Sequence, residues 1–341
     1  MNDVITPSFC GINNFGDELN QLLADELFAP KLGAAFDPHR DDSTIRLYAI
    51  GSFLSDGFVR EATAQQRVIV LGMGAGYGDL PVQQSYGMGR KFPVWIKNQL
   101  SLPLPLGTSP VGPFHRFCWV RGPLTARLLG LPQESAIADA GYLIRQTRAV
   151  NLSKTSMRRG VAFMPHYTAA SSSPNLREIC ESAGLRYIDP RDGVDKVLKA
   201  ISSSEVLMTE ALHGAIVSDA LRVPWIPLRS SEDVFEFKWL DFCASIQEDY
   251  NPQPLILAWK RAFYNGRNPV SLIKNTTTRL RSLASRWAVS PKDTALSLIK
   301  ASATKPILSS DTFIQRVDLE LPKLLDQLQQ DSMQGTLFAI D

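Results

Sequence analysis

Short apolar runs recur along the chain, each followed by a segment that reads as helix or turn. The runs fall at residues 45–50, 67–71, 117–120, 160–164, 185–188, 205–208 and 225–228. They are brief and rich in β-branched or aromatic residues, as buried parallel strands are. Between them, Pro123 suits the first position of a helix after Gly122. Ser173 suits the cap of a helix that begins at Pro174 and closes at Gly184. Strand, loop, helix, strand is the pattern of a doubly wound α/β sheet.

The polar stretch 151–159 separates two such series. A chain of 341 residues also exceeds what a single core usually serves. The expected division is a Rossmann-like domain over 1–155, a second over 156–250, and a helical, basic C-terminal extension over 251–341. From Leu257 to Lys300 the chain carries nine Lys/Arg and one acid, Asp293. That segment is therefore strongly positive and the remainder slightly negative.

Composition narrows the class. Hydrophobic residues make up 44% and charged residues 21%, which fits a globular protein and excludes a fibrous or disordered one. A net charge of +2 calls for no nucleic acid. Cys10, Cys118, Cys180 and Cys243 lie far apart with no paired spacing. They suggest no disulfide framework, and a reducing cytoplasm is the simplest setting. The first residues lack the basic-then-apolar order of a signal peptide, and no apolar run reaches the roughly 18 residues of a membrane span. Any membrane contact is expected to be peripheral.

Ligands of open α/β sheets bind in loops at the carboxyl ends of strands. Five such loops carry candidate chemistry. In Asn14-Phe15-Gly16-Asp17-Glu18, Gly16 gives backbone freedom before a helix, and Asp17 sits where a side chain can cap it. Either capping alone or an anion site follows. Gly51-Ser52 is a small pair after a strand, read as a ligand approach or a plain turn. The glycine-rich stretch from Gly72 through Gly74 to Gly78 breaks the dinucleotide pattern, because Tyr77 stands at the third glycine. It remains a ligand loop or a simple one. Arg121 follows a strand and precedes a helix, a position suited to gripping a carboxylate or phosphate, or to pairing with a neighbouring acid. Glu210 and His213 fall at a strand–helix join, where they could share protons. His39, His115 and His166 lack a comparable setting, although His166 also follows a strand. Neither a zinc motif nor a P-loop is present in the sequence.

In this order the pieces resemble the polysaccharide pyruvyltransferase family, in the branch that decorates exopolysaccharides such as succinoglycan. The resemblance runs from about Asn13 to Phe242. It rests on Asn14-Phe15-Gly16-Asp17-Glu18-Leu19-Asn20, Val120-Arg121-Gly122-Pro123, Asp139-Ala140-Gly141, Leu212-His213-Gly214-Ala215-Ile216, Val223-Pro224, Lys238 and Phe242. It implies a two-domain α/β fold similar to GT-B glycosyltransferases, with the site between the domains. It also implies transfer of pyruvate from phosphoenolpyruvate onto a sugar as a ketal; no other cofactor is expected, and the missing metal motifs speak against a metal. The expected catalytic residues are His213, Glu210 and Asp17, with His213 as acid and Glu210 tuning its charge. The expected substrate-binding residues are Asn14, Gly16, Gly51, Ser52, Gly72, Gly74, Arg121 and Lys238. Many relatives carry Arg where this chain has Ala211, so Lys238 or Arg229 would have to supply that cation, or it is missing. The expected partners are phosphoenolpyruvate, an oligosaccharide or lipid-linked glycan acceptor, and an anionic membrane surface touched by the basic segment. The alternatives are a GT-B glycosyltransferase using a nucleotide sugar and a non-catalytic glycan-binding relative.

Overall fold

The computed structural model describes residues 4–9, 13–40, 43–52, 54, 63, 65–75, 113–153, 157–231, 234–257 and 289–338. The first half of the chain forms β1 (Ile5–Pro7), α1 (Phe15–Leu23), α2 (Ala29–Leu32), β2 (Ile45–Tyr48), β3 (Arg67–Leu71), β4 (His115–Trp119), α3 (Pro123–Leu128) and α4 (Arg148–Ser153). Then come β5 (Val161–Met164), α5 (Tyr167–Ser172), α6 (Leu176–Ser182), β6 (Arg186–Tyr187), α7 (Val194–Ser202), β7 (Val206–Thr209), α8 (Leu212–Ala220) and β8 (Trp225–Arg229). The chain continues with α9 (Glu236–Ser245), β9 (Gln253–Pro254), α10 (Pro291–Ser302) and α11 (Asp311–Gln334). Each of the seven apolar runs overlaps a strand. Two of the very short edge strands, β1 and β9, lack a run long enough to be read in the sequence.

Two compact units result, each a parallel α/β structure, as expected. The first contains a sheet ordered β1-β2-β3-β4. Strand β3 is buried from Val68 to Leu71, which explains its unbroken apolar run. Helix α1 is amphipathic: Phe15, Leu19 and Leu23 recur at helical spacing and are all buried. The second unit contains the sheet β6-β5-β7-β8-β9, again with parallel pairs. Its core includes Phe163, Met208, Ile226, Leu228 and, from α10, Leu298.

The expected linear division is corrected. The first unit ends at Leu152, within the polar stretch, but it also takes 235–250 and 309–341; the second unit takes 153–234 and 251–308. Packing explains the return of α9, because Phe237 lies in the first unit's core with Val68, Val70 and Met73. Burial of Phe313, Ile314, Val317, Leu321, Leu325 and Leu328 explains the return of α11, and charge pairs add to it. That helix carries five acids and two bases, so it is acidic rather than basic. Its Asp326 pairs with Lys31 at 2.6 Å, and its Asp318 pairs with Arg145 at 2.6 Å. Asp331 pairs with Arg116. Most of the basic segment, 258–288, lies outside the described residues, as do Cys10 and Tyr77.

The helix expected after Ser173 is shorter than anticipated. It begins at Leu176 with Asn175 in the cap position, and Ser173 instead ends α5. Residues 173–176 close a turn through the Leu176 N–H and the Ser173 carbonyl, 3.1 Å apart, so helical hydrogen bonding starts only afterwards.

Candidate functional site

In the first unit, Asn14 caps α1. Its Oδ1 accepts from the N–H of Gly16 at 2.9 Å and of Asp17 at 3.3 Å. This corrects the expectation that Asp17 caps the helix. Asp17 lies within the first turn, and its carboxylate accepts from Asn14 Nδ2. Gly16 is likewise inside the helix and buried, not a free joint before it. Partial burial pushes the Asp17 carboxyl up to about 6; the Asn14 bond opposes the shift and Glu18 adds to it. A carboxylate so tuned exchanges protons close to neutral pH. Helix α1 is tied to the next loop by Asn20. Its Nδ2 donates to the Ile50 carbonyl at 3.2 Å, and its Oδ1 accepts from the Ile50 N–H at 2.9 Å.

Arg121 has no exposed side-chain surface. Its Nη2 donates to the Gly51 carbonyl at 2.7 Å and to Ser52 Oγ at 2.9 Å. Its Nε lies 3.2 Å from Asp139 and 3.9 Å from Asp241. Of the two expected roles, the structure shows the pairing with neighbouring acids: Arg121 lies beside two buried carboxylates and bonds a loop through Nη2, while its Nη1 is buried without a hydrogen-bond partner. Burial raises both carboxyls, that of Asp139 to about 6, while Arg121 pulls each back down. The glycine loops serve the same packing. A Cβ on Gly74 would lie 1.9 Å from Arg121 Nη2. Gly72, at φ +70°, passes so close to Trp119 and Ala140 that a Cβ would lie 2.5 Å from the indole nitrogen. The structure thus gives Gly51, Ser52, Gly72 and Gly74 structural partners.

The residue that sequence reasoning missed here is Asp241, on α9. It receives the N–H groups of Leu124 at 3.0 Å and Thr125 at 2.9 Å, and the Thr125 hydroxyl at 2.6 Å. A carboxylate far along the chain therefore caps α3. Asp139 caps its own short helix through the Gly141 N–H at 2.8 Å, which accounts for Asp139-Ala140-Gly141. Lys238 lies on the same helix as Asp241, partly buried.

In the second unit the candidates gather at the carboxyl edge of the sheet. Glu210 directly follows β7 and is buried. It accepts from the Ser230 N–H at 2.9 Å, beyond β8, and from the His166 backbone, beyond β5. Burial raises its carboxyl, and these bonds partly offset the shift. The Glu210 carboxylate is held by the flanking loops, through the Ser230 side chain and N–H and the His166 backbone. His213 occupies the first turn of α8 and is partly buried. Gly214 follows because a Cβ there would lie 2.7 Å from Thr209 Oγ1 and 3.1 Å from the Met164 sulfur. Ala211, in the cap position of α8, makes no side-chain capping bond. His166, set aside in the sequence, stands beside this group with Nδ1 2.8 Å from Thr168 Oγ1. The signal that could have found it is its place after a strand, the same place that singled out Glu210.

Parallel sheets with polar side chains at their strand ends make this an α/β protein of the doubly wound kind. The family model described as polysaccharide pyruvyl transferase matches residues 146–232, a stretch that contains His166, Glu210 and His213. Over 93% of its length the chain is 27% identical to the succinoglycan biosynthesis protein ExoV of Rhizobium meliloti (strain 1021), covering 96% of that protein. Both findings support the polysaccharide pyruvyl transferase family for this chain and bear out the resemblance of its motifs. Among solved structures, the wall teichoic acid polymerase TagF aligns over 96% of this chain and 89% of that one, with 11% identity and a TM-score of 0.36. A second TagF structure gives 10% identity and a TM-score of 0.37, over 96% of this chain and 90% of that one. Among the described residues, no helix is long and apolar enough to cross a membrane.

Proposed function

We propose that this chain transfers pyruvate from phosphoenolpyruvate onto a sugar of an exopolysaccharide as a ketal. The observation that carries this reading is the family match over 146–232, which spans the strand-end group of His166, Glu210 and His213. The name of the succinoglycan relative supports an exopolysaccharide acceptor. The acceptor is lipid-linked and is met at the cytoplasmic face of a membrane, to which the basic segment 257–300 is attracted.

The chemistry asks for a proton at the methylene carbon of phosphoenolpyruvate, which leaves a cation-like centre at C2. One sugar hydroxyl attacks that centre and gives up its proton. The C2–phosphate bond breaks, phosphate leaves, and a second hydroxyl closes the ketal with loss of its proton. His213 delivers the first proton. Asp17, poised near neutral pH, accepts one from a hydroxyl. Glu210 serves as a positioning residue, since its carboxylate is bound to backbone. Lys238 is a candidate contact to the donor's negative charge.

Mass spectrometry of the protein incubated with phosphoenolpyruvate and candidate glycans tests the reading. A pyruvyl mass gain on a glycan, with release of inorganic phosphate, is expected. Phosphate release without a modified glycan, or no turnover across a broad acceptor panel, counts against it.

A further inference from the structure

The second unit's strand order makes one place special. From β5 the chain crosses to β6 on one side, then returns to β7 on the other. In such sheets the crevice outside the carboxyl ends of the two central strands is where ligands bind. Strands β5 and β7 pair in register, with Met164 opposite Thr209. The next residues along each strand are therefore neighbours, and the Glu210 N–H donates to the Met164 carbonyl at 3.2 Å.

We propose that His166 and Arg229 are ligand-contacting residues that, with His213, hold an anionic group at this switch point. Three observations converge. Glu210 binds the His166 backbone and the Ser230 N–H, so it draws the loops after β5 and β8 toward the end of β7. Arg229 ends β8 beside Ser230, and its Nε donates to the Ser231 carbonyl at 3.0 Å, which anchors the side chain to this same loop. His166 Nδ1 lies 2.8 Å from Thr168 Oγ1, which fixes the plane of the imidazole. Burial holds Glu210 toward its neutral form, so the centre of the group subtracts little from the positive character of its neighbours. Ala211, between Glu210 and His213, brings no charge. His166 follows β5 and Arg229 ends β8, the two strands that flank β7, so each stands one strand away from the Glu210–His213 join. The ligand chemistry is a phosphate or carboxylate of a small donor, and the assignment rests on the proposed donor class.

Calorimetric titration of the full chain tests this, with phosphoenolpyruvate, inorganic phosphate and pyruvate as separate arms. Phosphate and pyruvate distinguish which anionic group is held. His166→Ala and Arg229→Ala should each weaken phosphoenolpyruvate binding by about tenfold or more, the loss of one hydrogen bond to a charged group. His166→Phe and Arg229→Met, which keep bulk but remove the hydrogen-bonding group and the charge, are read by the same criterion if the alanine variants fail to fold. Folded variants that bind as wild type does overturn the inference and leave the donor reading intact. Wild-type binding of phosphate but not phosphoenolpyruvate, lost in both variants, keeps the inference and removes that donor. Wild-type protein that binds none of the three overturns the inference.

Discussion

The Thr125 hydroxyl donates to Asp241 at 2.6 Å across 116 positions of sequence. This bond fastens α9 to the start of α3, and Arg121 lies beside it with its Nε 3.9 Å from the same carboxylate. The Arg121-Gly122-Pro123 motif is thereby explained residue by residue. Arginine meets two buried acids. Glycine admits Asp241, whose backbone oxygen would lie 2.3 Å from a Cβ at Gly122. Proline starts the helix.

Removing Asp241 should be costly. Asp241→Ala would strand the Leu124 and Thr125 N–H groups and leave Arg121 facing one acid in place of two. The expected loss is about 3–5 kcal/mol, the cost of breaking a buried ionic group. Urea unfolding of the purified variant measures it, and Asp241→Asn, which keeps one acceptor, should lose less.

Gly122 and Gly160 separate two reasons for being glycine. Gly122→Ala drives a methyl into the Asp241 backbone and should cost about 1–3 kcal/mol through overpacking. Gly160, at φ +62° with open space around its Cβ position, should cost about 1 kcal/mol on substitution by Ala, from backbone strain alone. Equal losses in thermal unfolding would contradict the assigned packing.

Stability should rise as the solution is made mildly acidic. Burial raises Asp139 from 3.8 unfolded to about 6 folded, so the native state holds its proton more tightly. Its contribution is fully present below about 4 and is lost as pH rises through about 6. Denaturant midpoints between pH 7 and 5 should show this trend, and Asp139→Asn should flatten it.

Activity should move the other way through Asp17. As a proton acceptor it works when ionised, so kcat/KM should fall as pH drops through about 6. Asp17→Asn should lower the rate and abolish that limb of the profile. A limb unchanged in the variant would assign it to another group.

His213→Ala should reduce turnover on the order of 10²–10⁴-fold, the worth of general acid help, with little change in the unfolding midpoint. Near wild-type turnover would remove His213 from the proposed chemistry.

The sequence by itself determined both parallel sheets and the order of the motifs. Apolar runs report strands buried on both faces, and Gly-Pro reports a helix start; both signals are local. The tertiary structure alone decided what the motif residues touch. Arg121 reads equally as a ligand grip or as one half of an ion pair until Asp139 and Asp241 are found beside it, and Asp241 lies on a helix with no local mark of its role. Glu210 and His213 are neighbours in sequence, yet the Glu210 carboxylate is held by loops from β5 and β8. His166 gained its place the same way, through pairing of strands far apart in the chain. Helix α11, expected in a basic tail, is acidic and sits against Lys31, Arg116 and Arg145 of the first unit. Local periodicity encodes burial, but the partner of a buried charge is chosen by which distant segments fold against it.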